Sequence, residues 1–178
     1  MVLSPNVIQA IPKMGVEERH ILRKRATAWL KSGSKEQAAG AKAALEALEA
    51  VETREREDLV RHVESLDKTQ RVAEAFQRVP LSEHERRVVL ALLDYPGQSS
   101  EALSKSLGWE GQAWQLHFGM LCKERRHLLW SGPYEERRRA EFFAGILADF
   151  DSETRRFTMK PEAVEGFRRI GLKPSPRL

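Results

Sequence analysis

The sequence predicts a mainly α-helical protein that carries one small β-hairpin in its C-terminal half. Three observations lead to this fold class. An alanine-rich run over residues 38–50 has a strong intrinsic preference for helix. Ser34 with Gln37, and Ser82 with Glu85, have the spacing of capping boxes, which mark helix starts. Large and small residues alternate on both sides of a polar tip at 151–154, which is typical of two strands joined by a short loop.

The N-terminal elements follow from breakers and periodicity. Residues 1–15 contain two prolines and a glycine, and we expect an irregular segment there. A first helix is predicted over 17–31, and Ser34 opens a second, alanine-rich helix. A further amphipathic stretch covers 57–79. The sequence leaves open whether Thr53 divides this region into two helices or lies within one.

Four leucines in this region suggest a surface for self-association. Glu52 and Glu55 interrupt the heptad pattern, so we do not expect a long coiled coil. One interpretation is a helical hairpin that packs on its own C-terminal domain. The other is a homodimer, since two-fold DNA sites are read by dimers. The leucines that would form the dimer contact are Leu45, Leu48, Leu59 and Leu66.

The segment from residue 99 to residue 130 predicts two helices joined by a tight turn. A short helix is followed by Gly108, and a longer helix then places its apolar residues on one stripe. Two helices joined by a turn of three or four residues form a helix-turn-helix motif. The second helix of such a motif enters the DNA major groove. Nucleic-acid binding is therefore the leading hypothesis.

A hairpin and a last helix follow the motif. We predict strands on both sides of 151–154, within 142–160, and a helix that begins at Pro161 and ends at Gly171. The order helix, helix-turn-helix, hairpin, helix over about 81–172 resembles a winged-helix domain. We accordingly divide the chain into an N-terminal helical region, 1–80, and a winged helix-turn-helix domain, 81–178.

The turn of the motif resembles that of bacterial winged-helix regulators. In those proteins the turn reads leucine, glycine, apolar residue, as Leu107, Gly108 and Trp109 do here. Apolar residues follow at fixed steps after the glycine, and the resemblance implies that they are core residues. Trp114, Phe118 and Leu121 share one helix face, and we expect them and Trp109 to be buried.

The opposite face of the second motif helix would then meet DNA. It carries Gln112, Leu116, Gly119 and Lys123, with Gln115 on its flank. Glutamine pairs with adenine, lysine with guanine or phosphate, and leucine with a thymine methyl group. Gly119 costs the helix about 1 kcal/mol relative to alanine. This cost suggests that DNA or a neighbouring helix comes close to its backbone.

Basic residues beside this helix and beside the hairpin tip are candidate phosphate contacts. Arg125 and Arg126 end the helix, where cations also interact favourably with its dipole. Arg155 and Arg156 adjoin the predicted tip, where a wing would contact the DNA backbone or the minor groove. The carboxylates of the same loop weaken that attraction.

Composition narrows the remaining possibilities. The 178 residues carry a net charge of +4, and each half, divided after residue 80, is +2, so global charge identifies no nucleic-acid arm. Apolar runs are too short for a membrane span. The N-terminus lacks the basic start and apolar core of a secretory signal. One cysteine excludes an internal disulfide and fits a reducing cytoplasm.

Titratable residues give little sign of catalysis or of a metal site. The histidines do not have metal-ligand spacing relative to Cys122, so we expect no metal. Neighbouring basic residues could lower the pKa of the Cys122 thiol and make it a redox sensor, although such a cysteine is more often an inert core residue. Because no phosphate loop, nucleophile–base pattern or carboxylate pair stands out, we expect neither a cofactor nor an enzyme.

The sequence therefore predicts a cytoplasmic transcriptional regulator that binds specific double-stranded DNA through its winged helix-turn-helix. The alternative is a protein-interaction module that has the same fold and does not bind DNA, since a fold alone does not determine function. The two hypotheses differ at Gln112, Leu116 and Lys123. These residues should be exposed in a DNA-binding protein and covered in the alternative.

Overall fold

The chain divides into two structural units, the first ending at Arg61 and the second beginning at His62. The structure is a computed structural model, which describes residues 5–136 and 139–174. Helices dominate, with small antiparallel sheets in the second unit, so the mainly α fold class is confirmed. Among the described residues, no helix is long and apolar enough to cross a membrane.

The first unit begins with helical structure where we expected an irregular segment. Helix α1 spans Pro5–Ala10 and continues into a 3-10 turn over Ile11–Lys13. The proline in that turn is compatible with helical geometry because it lies in the first turn. Ile11 is fully buried in the core of this unit. The prediction failed because both prolines lie in the first turn of a helical segment, where proline does not break the helix, and because Ile11 packs into the core.

Two long helices complete the first unit. Helix α2 spans Val16–Ser32 and α3 spans Lys35–Ser65, so one helix passes through Thr53 without a break. The capping box of Ser34 and Gln37 is confirmed, since each side chain bonds to the backbone N–H of the other residue. Among its described residues, the core cluster of the unit contains three alanines and three larger residues, which are Ile11, Leu22, Ala26, Ala41, Ala44 and Leu48.

Ion pairs connect α2 to α3 at the surface of this hairpin. Arg19 lies 2.8 Å from Glu55, and Arg23 lies 2.7 Å from Glu52. These glutamates are the residues that interrupt the heptad pattern of α3. Leu48, a predicted dimer contact, has no exposed surface within its own unit.

Helix α4, Lys68–Arg78, begins the main body of the second unit. The expected amphipathic stretch over 57–79 is therefore divided, because α3 ends at Ser65 and Asp67 caps α4 in a capping box with Gln70. Helix α4 packs on the last helix, α8, Pro161–Arg169. A Cβ at Gly166 would lie 2.5 Å from the Cβ of Val72, so this contact requires glycine. Since α4 packs there, the unit boundary lies earlier than residue 80.

The predicted motif helices are present. Helix α5 spans Glu83–Asp94 and begins with the expected capping box of Ser82 and Glu85. A turn and a two-residue strand, β1 at Gln98–Ser99, lead to α6, Ser100–Ser106, and then to α7, Ala113–Glu124.

The apolar stripe of α7 forms the centre of the second core. Trp114, Phe118 and Leu121 are buried, as predicted. The Trp114 ring stacks on Phe118 with centroids 4.8 Å apart, and its Nε1–H donates to the Val88 carbonyl at 2.9 Å. Trp109, in contrast, is only half-buried. Because it precedes α7, its ring lies at the surface, stacked on His84 at 5.0 Å.

The hairpin is confirmed between β4, Ala148–Asp151, and β5, Arg156–Met159, and β1 adds to it beside β5. The first half of the predicted strand is wrong, because Phe143–Ile146 forms a 3-10 turn. All residues from 144 to 148 are buried, so this segment has no solvent-facing side. The alternation was one of large and small apolar residues, which does not distinguish a half-exposed strand from a fully buried turn.

A second strand pair was not predicted. Strands β2, Tyr134–Glu135, and β3, Ala140–Glu141, pair antiparallel between α7 and the 3-10 turn. Each contributes only two residues, which is too few for an alternating pattern to be recognised.

Candidate nucleic-acid interface

Two buried serines of α6 fix the start of α7. Ser104 Oγ accepts a hydrogen bond from the Trp114 N–H at 2.9 Å, and Ser100 Oγ accepts one from the Gln115 N–H at 3.2 Å. Ser100 Oγ also donates to the Gln112 carbonyl at 3.3 Å. N–H groups in the first turn of a helix have no partner within the helix, so these hydroxyls act as a cap supplied by the preceding helix. Sequence reasoning missed this role, although the i, i+4 spacing of the serines places them on one face of α6.

The connection between α6 and α7 is longer than predicted. It extends over 107–112, six residues rather than three or four. Gly108 has φ of 75° and Gly111 has φ of 58°, both in the left-handed region that favours glycine. The first glycine ends α6, and the second turns the chain into α7.

The outer face of α7 is exposed within its unit. Gln112 and Lys123 are exposed, and Leu116 retains 66 % of its surface. Lys123 Nζ lies 5.5 Å from the centroid of the Phe143 ring. Lys123 forms no ion pair with any residue between 5 and 136 or between 139 and 174. This face can therefore present an amide, an apolar side chain and a cation to a partner.

One flank of the face is partly covered. Gln115 and Gly119 are half-buried, and a Cβ at Gly119 would lie 3.9 Å from the Ala144 backbone nitrogen. The close neighbour of Gly119 in this unit is therefore the 3-10 turn, at ordinary van der Waals distance. An alanine would fit here, so the glycine is not required by packing within the unit.

Arg126 is engaged in an internal contact. Its Nε lies 2.7 Å from Glu141 Oε2, and Glu141 also accepts a hydrogen bond from the Gly132 N–H. The ion pair connects the end of α7 to β3. A phosphate contact by Arg126 would compete with Glu141.

The hairpin tip is held by a carboxylate. Asp151 accepts hydrogen bonds from the Thr154 hydroxyl and from the backbone N–H groups of Glu153 and Thr154. The Thr154 hydroxyl is the main reason that the pKa of Asp151 is lowered. Asp151 thus forms the tip, as aspartate commonly does in turns.

The two arginines beside the tip differ in conformation. Arg155 has φ of 56°, which is uncommon for a residue other than glycine, whereas Arg156 lies in β5 opposite Asp151. Both side chains are exposed. Gln112, Gln115 and Arg155 line a common cavity, so the structure brings the start of α7 and the hairpin tip together.

Arg125 is a structural residue, and its interpretation as a phosphate contact is wrong. Its side chain is only 1 % exposed, and it lies 2.7 Å from Glu85 Oε1. It also donates to the carbonyls of Val79, Pro80 and Leu121. Burial raises the pKa of Glu85, but hydrogen bonds from Arg125 and Ser82 outweigh burial and leave the pKa lowered.

Cys122 is an inert core thiol, so the redox-sensor interpretation is wrong. The side chain is fully buried, and this burial raises the pKa of the thiol far above its ordinary value. The neighbouring cations are too weak to offset the burial. Among the described residues, no three His, Cys, Asp or Glu side chains form a group that could hold a metal ion.

Comparison with protein-family models, with curated proteins and with solved structures finds no match to this chain.

Proposed function

We propose that the second unit binds specific double-stranded DNA, with α7 in the major groove and the β4–β5 hairpin beside it, and that the protein regulates transcription. The order α5, β1, α6, α7, hairpin, α8 resembles a winged helix, which supports the proposal. The β2–β3 pair is an insertion relative to that order.

The observation that carries the proposal is the outer face of α7. Gln112, Leu116 and Lys123 are exposed together on the side opposite the Trp114 core. An amide, an aliphatic group and a cation at this spacing match the acceptors, methyl groups and phosphates of a major groove. The hairpin adds Arg155, which forms neither an ion pair nor a hydrogen bond with any described residue.

Phosphate contacts are tested through salt dependence. Binding to genomic duplex fragments is titrated at two salt concentrations. Lys123→Ala and Arg155→Ala should weaken binding to all duplexes, and each should reduce the salt slope by about one unit. Lys42→Ala, a lysine on α3 of the first unit, is the matched control and should leave the slope unchanged.

Base reading is tested by comparing specific with non-specific sites. Gln112→Ala should weaken binding to the preferred fragment by roughly 1–3 kcal/mol and leave other duplexes nearly unaffected. If the wild-type protein binds duplexes no more tightly than any mildly basic protein does, the proposal is wrong.

A protein partner is the second candidate for the same face. Leu116 and Met120 retain 66 % and 47 % of their surface, and they line a groove whose other wall includes Phe143. Exposed apolar side chains that cluster in this way are typical of interaction sites. Leu116→Asp would abolish binding of a protein partner, whereas Lys123→Ala would affect it little.

A homodimer belongs to the same proposal, because two recognition helices that meet successive major grooves require two copies. Of the four leucines considered, Leu48 is used inside the first unit, and Leu59 is half-buried near the end of α3. Sedimentation that shows a monomer at micromolar concentration would leave only a packing role for these leucines.

A further inference from the structure

A cleft of about 960 Å³ opens beside the first turn of α7. Gln112 and Gln115 form one wall, β4 and the hairpin tip form the second, and residues 130–135 form the third. All of these residues belong to the second unit. The volume lies within the range of sites that hold small organic ligands.

Aromatic side chains line this cleft on two sides. Tyr134 and Phe150 are exposed, while Trp130 and Phe142 are half-buried. The Phe150 ring lies 5.9 Å from that of Phe142, between centroids. Exposed rings that face a common space provide stacking surfaces for a planar group. These rings favour a flat, aromatic occupant over an aliphatic one.

Cations lie at the same cleft. Lys160 Nζ donates to the Gly145 carbonyl at 2.7 Å and lies 3.9 Å from Asp149 Oδ1, beyond hydrogen-bond distance. An ammonium group has three donors, so Lys160 retains donors for a ligand. Arg155, which has no partner among the described residues, adds five N–H groups. Lys68 also lines the cleft, and the three basic residues outnumber the two acidic ones, Glu135 and Asp149, so the charge of the lining favours an occupant with a negative charge.

Amide groups complete the set. The side chains of Gln112 and Gln115 each offer both a donor and an acceptor at the cleft wall. The Gln112 amide makes one long contact, 3.4 Å, with Glu101. A glutamine amide matches the paired donor and acceptor of a nucleobase edge.

We propose that this cleft binds an unpaired nucleotide, with its base stacked on Tyr134 and Phe150 and its phosphate on Arg155 and Lys160. A nucleotide is the ligand that uses the rings, the amides and the cations together. The bound nucleotide is either a free mononucleotide or an unpaired residue of a single strand. The site does not depend on duplex binding, although it shares Gln112, Gln115 and Arg155 with the proposed interface.

Calorimetric titration of the full chain tests the proposal, with adenosine 5′-monophosphate, a (dA)12 strand and the duplex of that strand with (dT)12 as probes. Tyr134→Ala should weaken binding of the unpaired probes at least about fivefold, the lower limit for loss of one stacked base. Arg155→Gln should weaken it at least as much, because it removes hydrogen bonds between two charged groups. Adenosine, which lacks the phosphate, should bind the wild type at least as weakly as the monophosphate binds Arg155→Gln, because that variant keeps Lys160. Arg155→Gln should not weaken adenosine further.

The chain offers matched controls. Tyr95 is the other tyrosine and is also exposed, and Arg86 is an exposed arginine on α5; neither lines the cleft. Tyr95→Ala and Arg86→Gln should leave the affinities within twofold. A urea unfolding midpoint for each variant checks that the fold is intact.

The outcomes separate the two sources and the two proposals. Binding of the monophosphate identifies a free nucleotide, and binding of the strand alone identifies an unpaired position in DNA. If neither unpaired probe responds more to the cleft variants than to the controls, the nucleotide site is overturned, even where duplex binding persists. If the wild-type protein binds the unpaired probes but no duplex, only the proposed function is overturned.

Discussion

The two units bury different kinds of side chain. In the first unit, Ala26, Ala41 and Ala44 make up half of the core cluster, and ion pairs join α2 to α3 at their surface. The core of the second unit contains several aromatic rings and internal hydrogen bonds. Its buried aromatic residues are Phe76, Trp114, Phe118, Phe157 and Phe167.

This difference determines which substitutions each unit tolerates. A fully buried alanine is most sensitive to a larger side chain, because extra methylene groups in a packed core force the neighbouring side chains to shift. A core built on rings loses contacts and gains a cavity when a ring is truncated. The two units should therefore respond in opposite ways to gain and loss of side-chain volume.

Truncation of Trp114 should have the largest effect. Trp114→Ala removes a fully buried ring, its stacking on Phe118 and its hydrogen bond to Val88, and should cost about 3–5 kcal/mol. Urea unfolding followed by circular dichroism measures this cost, and hydrogen exchange should show faster exchange in α7 but not in α2. Unfolding like that of the wild type would mean that the core face of α7 has been assigned to the wrong side.

Replacement of Arg125 should come next. Arg125→Ala leaves Glu85 and three carbonyls without their donor, and should cost about 3 kcal/mol. The adjacent Arg126 makes a half-exposed ion pair, so Arg126→Ala should cost less than about 1 kcal/mol. Equal losses of stability would contradict the structural role assigned to Arg125.

Enlargement of Ala44 should destabilise the first unit. Ala44→Leu places three extra carbons in a contact without exposed surface and should cost about 1–3 kcal/mol, measured as faster hydrogen exchange in α2 and α3. Ala39→Leu, at an exposed position of the same helix, is the control and should be nearly neutral. An unchanged hydrogen-exchange rate in Ala44→Leu would show that the core of the first unit can accommodate the larger side chain.

Acid should weaken the second unit through Glu85. Because the folded protein lowers the pKa of Glu85, its ionised form contributes stability at neutral pH, and this contribution is lost as the pH falls below the ordinary value of 4.5. Glu85→Gln should cost about 1–2 kcal/mol at pH 7 and less at pH 3. The exposed neighbour Glu83 serves as control, since Glu83→Gln should leave the pH profile unchanged.

Thiol labelling of Cys122 should show the smallest effect, and it tests whether the second unit unfolds independently of the first. Cys122 is the only cysteine of the chain and is fully buried, so a thiol reagent should not modify the native protein. Its labelling rate should follow unfolding of the second unit and should be unaffected by Ala44→Leu. Rapid labelling of the native protein would show that the second core opens locally.

The features that could be predicted from the sequence are those set by residues a few positions apart in the chain. Both capping boxes, at Ser34 and Ser82, were found because the donor and acceptor lie three positions apart in the chain. The apolar stripe of α7 was found because its residues recur at the helical period. The box of Asp67 and Gln70 carried the same kind of signal and would have divided the stretch over 57–79 correctly.

Features that depend on distant contacts could not be predicted. Arg125 looks like any surface cation until α5 is placed beside it. Residues 142–147 alternate in side-chain size, and the alternation gives no sign that 144–147 are buried in the core rather than half-exposed on a strand. The cleft beside α7 was missed for the same reason, because its third wall comes from residues 130–135, where the sequence showed only a break.

The contact between Val72 and Gly166 also bears on how the protein is made. Ribosomes extend a chain at about 5–20 residues per second, so α4 emerges on the order of ten seconds before α8. During that interval the apolar side of α4, including Phe76, has no partner helix to cover it. The nascent chain therefore exposes the apolar side of α4 to solvent, and a chaperone that shields this helix should raise the yield of folded protein.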